Sequence, residues 1–199
     1  MQLVDSHCHL NLLDLTDYGG DLAKVVELAM EQGITHFLCP GVTLEDFPAQ
    51  LEAIERWPGC MYASVGLHPN EVIATEPDAA MLAQIADHPR VIAIGETGLD
   101  YYRLEGDPSL QQERFRRHIR AARETGKPLI VHSRQAREDT IRLLREEKAE
   151  TVRGILHCFT EDLAMAEAAI AMGFYISFSG IVTFANAKEL HEVAKRIPL

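Results

Sequence analysis

This chain of 199 residues carries nine histidines, and five of them stand at or just beyond the ends of short apolar, β-prone runs. His7 and His9 flank Cys8 in "LVDSHCHL", His68 ends "VGLH", His132 follows "PLIV" and His157 follows "RGIL". Another run, "VIAIGETGLD", delivers carboxylates instead, Glu96 and then Asp100. Imidazole together with carboxylate is a donor set for zinc, iron, manganese or cobalt rather than calcium. One histidine at a strand end has an ordinary structural reading as a hydrogen-bonded residue. Several at equivalent strand ends point to a metal centre. The donors outnumber the three or four of a mononuclear site, and a carboxylate can bridge two ions. The residues therefore point to a two-metal centre with Glu96 as the natural bridge.

These residues need a scaffold that brings strand ends together. The strand candidates are "QLVDSH", "HFLCPG", "MYASVGLH", "VIAIGE", "PLIVHS", "RGILHCF" and "FYISFSG". Most are apolar at successive positions, as expected of parallel strands covered on both faces. Helical patterns lie between them. "GDLAKVVELAMEQG" sets Leu22, Val25, Val26 and Ala29 on one face and ends at Gly33. "SLQQERFRRHIRAARETGKP" opens with Ser109 and Gln112 at capping-box spacing and stops at Gly126, with Pro128 beyond. A further helix ends at Gly173, and the last runs from about Ala187 to Arg196. Strands recur roughly every 25 to 35 residues, the spacing of βαβ units. Both an open doubly wound sheet and a (β/α)8 barrel fit this α/β pattern. A complete barrel takes about 250 residues, so a barrel here is truncated after its seventh βα unit. No Ser/Gly/Pro-rich linker divides the chain, and residues 1–199 are expected to form a single domain.

Composition narrows the function classes. The formal charge of −11 argues against a basic surface that wraps nucleic acid, though bound cations could still receive phosphate. Cys8, Cys39, Cys60 and Cys158 form no CxxC pair, which reads as reduced thiols in a cytoplasmic protein. No apolar run approaches the roughly 18 residues of a membrane span, so no membrane partner is expected. His36, His88, His118 and His191 read as solvated or locally capped. Cys8 and Cys158 read as small buried residues facing away from the ligands, and Asp5 as a group that orients a neighbour.

"VDSHCHL", "GLHP", "GETGLDYY", "VHSR", "GILHCFT" and "GFYISFSGIVTF" resemble, in order, the motif series of the TatD family of metal-dependent hydrolases, within the amidohydrolase-like barrels. The resemblance runs along essentially the whole chain. It implies a TIM-type barrel and two divalent ions, zinc, magnesium or manganese. His7 and His9 would hold one ion, His132 and His157 the other, and Glu96 would bridge them. His68 and Arg134 would lie near the substrate phosphate, giving a catalytic set of Glu96, His68 and Arg134. The family's further aspartate, the ligand and general base of an eighth strand, has no counterpart among these residues. The implied activity is hydrolysis of DNA phosphodiester bonds, at short or single-stranded ends. An ester or amide hydrolase on the same barrel, such as an aminoacyl-tRNA deacylase, uses the same ligands. A third reading is a fragment with little catalysis of its own.

Overall fold

The computed structural model describes residues 2–198. Its strands are β1 (Leu3–Asp5), β2 (Ile34–Cys39), β3 (Met61–Val65), β4 (Val91–Asp100), β5 (Leu129–Arg134), β6 (Gly154–Leu156) and β7 (Phe174–Ile176). Its helices are α1 (Leu22–Glu31), α2 (Phe47–Glu55), α3 (Ala79–Ala86), α4 (Ser109–Thr125), α5 (Arg137–Glu146), α6 (Leu163–Ala171) and α7 (Lys188–Arg196). The strands form one parallel sheet in sequential order from β1 to β7. That order excludes the doubly wound alternative, whose sheet reverses direction part-way.

The sheet curls like a barrel wall. β1 and β6 are five strand spacings apart, roughly 24 Å on a flat sheet. Yet the rings of His7 and His157, which follow these strands, stack with centroids 3.5 Å apart. β1 and β7 are the sheet's two ends and, among the described residues, do not pair with each other. Both ends carry exposed apolar side chains, Val4 at 62% and Tyr175 at 77%.

The core lies between strands and helices. Val65, Ile94, Leu129, Val131 and Leu156 from the sheet pack with Phe115, Ile119 and Leu144 from the helices, all buried. Helix punctuation follows local chemistry. Asp21 caps α1 by accepting from the Ala23 N–H, and Gly33 ends it at φ 96°. Gly126 at φ 68° ends α4 as expected. The capping box at its start does not form. The Asp107 carboxylate takes both the N–H and the hydroxyl of Ser109, which leaves Gln112 to bond Tyr101 and Asp139. None of the described helices is long and apolar enough to cross a membrane.

Candidate metal centre

Every strand-end histidine singled out in the sequence comes to the mouth of the curled sheet, around Glu96. Glu96 lies inside β4, 4% exposed, and its backbone N–H donates to Gly41 O at 2.8 Å. His132 lies within β5. The others lie beyond their strands: β1 ends at Asp5, before His7 and His9, β3 ends before His68, and β6 ends before His157. Strand alternation therefore does not align His7 with His9. Their backbone is held instead by Asp5, whose carboxylate accepts from the His7 N–H at 3.2 Å, and by the Cys8 N–H, which donates to Leu38 O at 3.0 Å.

The two oxygens of Glu96 serve different histidines. Oε2 faces His7 Nε2 at 3.4 Å and His9 Nε2 at 3.7 Å, and those nitrogens are 3.1 Å from each other. Oε1 faces His132 Nδ1 at 3.4 Å, His157 Nε2 at 3.7 Å and His68 Nε2 at 3.7 Å. Donors about 2.0–2.1 Å from one tetrahedral cation sit roughly 3.3 Å from each other. The spacings on both sides of Glu96 match that figure. Two groups of mutually close donors result, His7–His9–Glu96 and His68–Glu96–His132. His157 reaches the same oxygen but lies flat against His7, with ring planes 3° apart.

The electrostatics fit a cation. Burial pushes the Glu96 carboxyl up, but the imidazoles gathered around it, His132 and His7 foremost, outweigh that and hold the group well below the usual carboxylate range. Burial brings His68 and His157 down to about 4 and lowers His9 as well. Neutral imidazole is the form that binds metal. His9 Nδ1 is buried with no hydrogen-bond partner among the described residues. The donor set, its spacing and the lowered basicity of His9, His68 and His157 thus suit divalent cations.

Protonation separates the roles of two rings. The Asp100 carboxylate accepts from His132 Nε2 at 3.1 Å, which leaves the Nδ1 lone pair facing Glu96. The Asn70 backbone N–H donates to His68 Nδ1 at 3.3 Å, so the neutral His68 ring carries its proton on Nε2, toward Glu96. His132 presents a ligand atom; His68 presents a donor.

A cleft of about 590 Å³ opens onto these groups, with Arg103 and Arg134 as its cations and Leu12, Val42 and Ile181 among its apolar lining. The Arg134 guanidinium lies over the Tyr102 ring, 3.8 Å from its centroid. Cys158 also lines this cleft and bonds Ser179, contrary to the expectation that it faces away, because its backbone turns at φ 48° just after β6. A larger cleft between α5 and α6, about 690 Å³, holds none of the histidines.

His36, His88 and His191 lie away from the centre on local partners. His118 is neither solvated nor at a helix end: it is fully buried on α4. Sequence reasoning left Asp100 without a role, although an even offset from Glu96 on one strand was a usable signal. Asn70, Gln111 and Arg114 gave no such signal.

A curled parallel sheet that gathers imidazoles around one buried carboxylate at its strand ends defines a barrel-type metal-dependent hydrolase. The chain belongs to the TatD related DNase family, whose model matches residues 4–199. It is 40% identical over 199 residues to an uncharacterized metal-dependent hydrolase of Buchnera aphidicola, covering 100% of this chain and 75% of that protein. The crystal structure of YJJV, a TatD homologue from Escherichia coli K12, matches with a TM-score of 0.84 at 25% identity, over 98% of this chain and 74% of that one. The 3'-5' ssDNA/RNA exonuclease TatD of Edwardsiella piscicida is 31% identical over 164 residues, 82% of this chain and 63% of that protein.

Proposed function

We propose that this chain hydrolyses phosphodiester bonds at short or single-stranded DNA ends, with two divalent cations held by His7, His9, Glu96, His132 and His157. The observation that carries this reading is the division of Glu96, with Oε2 toward His7 and His9 and Oε1 toward His132, His157 and His68. The name of the Edwardsiella piscicida relative supports a nucleic-acid substrate for this chain too. When bound, such cations supply an activated water and neutralise charge building on the phosphoryl group.

The chain's own residues do the rest. Asp100 holds His132 in the tautomer that presents Nδ1. His68 offers its Nε2–H to a non-bridging phosphate oxygen, a donor aimed where charge develops. Arg134 and Arg103 bring positive charge to the cleft of an otherwise acidic protein, and the Arg134 guanidinium rests over the Tyr102 ring. That arrangement suits a strand end entering the cleft better than a duplex lying across the surface. Glu96 is committed to the histidines and Asp100 to His132 and Asn70. Neither is free to take a proton from water, which leaves Glu71 as the remaining carboxylate of the cleft lining.

The test is an assay on a short 5′-labelled single strand with Mg²⁺ or Mn²⁺, alongside His132→Ala. Metal-dependent shortening that the substitution abolishes supports the reading. Equal cleavage by both proteins contradicts it.

A further inference from the structure

α4 carries a stripe of polar side chains in a place where apolar ones would pack. Gln111, Arg114 and His118, at helical spacings of three and four, are 5%, 3% and 0% exposed. Phe115 and Ile119 beside them are ordinary core residues. A buried ion pair is seldom better for stability than well-packed apolar side chains of similar volume. The residue types on this stripe therefore call for another reason, and their partners supply it.

Each side chain grips the backbone of a segment that carries the metal centre. Gln111 Oε1 accepts from the Asp100 N–H at 2.9 Å, and its Nε2 donates to Asp100 O at 3.3 Å. Arg114 Nη1 donates to His68 O at 2.8 Å and Pro69 O at 3.2 Å. His118 Nε2 accepts from the Leu67 N–H at 3.0 Å, while its Nδ1 donates to Arg114 O at 2.8 Å. Residues 66–70 lie between β3 and α3 outside any helix or strand, so regular structure does not fix them. Glu76, ahead of α3, locks the guanidinium by pairing with Arg114 Nε at 2.9 Å and with Nη2. Arg114 thus ties together α4, the His68 segment and the Glu76 segment.

We propose that Arg114 and His118, anchored by Glu76, are positioning residues that fix the Leu67–Pro69 backbone and so aim the His68 ring into the cleft. They act through His68 and touch no substrate. The functional half of this inference rests on the donor role proposed above for His68; the structural half does not.

The experiment compares the 199-residue protein with Arg114→Lys, Glu76→Gln and the control Ile119→Val. Ile119 shares α4 and full burial but bonds none of these segments. Two readouts are taken. Hydrogen exchange of the Leu67 and His68 amides, measured without metal, is expected to accelerate at least tenfold in Glu76→Gln. Arg114→Lys, which keeps a donor, is expected to accelerate less. Affinity of the Mn²⁺-loaded protein for inorganic phosphate is expected to fall about tenfold in Glu76→Gln and to hold in Ile119→Val. If Glu76→Gln does not fold, Arg114→Lys carries the comparison. Exchange and phosphate affinity that change no more than in Ile119→Val overturn the proposal. Failure of the parent to bind Mn²⁺ overturns the metal reading instead, and the exchange result still decides the positioning role.

Discussion

Asp100 Oδ2 lies 3.1 Å from His132 Nε2, while the other nitrogen of that ring faces Glu96 Oε1 at 3.4 Å. The carboxylate can only accept, so it selects the tautomer whose Nδ1 lone pair is free. An asparagine there could turn its NH2 toward Nε2 and move the proton to Nδ1. Asp100→Ala and Asp100→Asn are both expected to weaken divalent-metal binding about 10- to 100-fold while the protein stays folded. Competition with a chelating dye measures this, and parent-like affinity in both variants would sink the orienting role.

Gly98 sits beside His132 at φ 133°, where a Cβ would meet His132 O at 2.0 Å. No side-chain rotation relieves that approach, because the obstacle is the backbone of β5. Gly98→Ala is expected to destabilise the protein by roughly 3 kcal/mol or more. Urea unfolding followed by circular dichroism tests it; a midpoint within error of the parent's contradicts the close approach.

His118 is fully buried between Leu67 and Arg114, and desolvation brings it from 6.5 down to about 4. The charges facing it are those of Arg114, Arg117 and Glu76. A folded-state value below the unfolded one means the native protein resists taking the proton. The associated stability is fully present above pH 6.5 and is lost as pH falls toward about 4. The loss should reach about 3 kcal/mol. His118→Gln removes the titrating group, and its unfolding free energy should fall less steeply over that window. Parallel pH profiles would refute the assignment.

In the proposed function Arg134, which lies over the Tyr102 ring, is the cation that meets phosphate. Arg134→Ala is expected to weaken single-strand binding and to reduce the slope of log affinity against log salt by about 0.7. Tyr102→Phe should keep the stacked guanidinium and the parent slope. Fluorescence anisotropy with a labelled oligonucleotide at several salt concentrations measures both. An unchanged slope in Arg134→Ala would show that this arginine meets no phosphate.

The ligand candidates were legible because parallel α/β sheets present chemistry at strand ends, and the repeating βα rhythm marks where those ends fall. Glu96 and His132 sit inside their strands as the apolar runs suggest. The three-residue length of β1 was not legible: the strand-like run reads through to His7, but the Asp5 carboxylate takes the His7 N–H and Leu38 O takes the Cys8 N–H instead. Nor could periodicity reveal the curl that lays His157 on His7, since the angle between strands is set by packing across the sheet. The α4 stripe stayed hidden for a simpler reason. Gln111, Arg114 and His118 look like solvent-facing residues until their partners, far off in sequence, are known. The Ser109 capping box failed because Asp107, a stronger acceptor, lay two residues upstream.

If the two oxygens of Glu96 serve two cations, metal content shows it. The protein is saturated with Zn²⁺, passed through a desalting column and analysed by plasma mass spectrometry beside Glu96→Ala. The parent is expected to retain two equivalents and Glu96→Ala fewer than one. A parent that retains fewer than two equivalents, or Glu96→Ala that still holds two, would show that Glu96 does not join two cations.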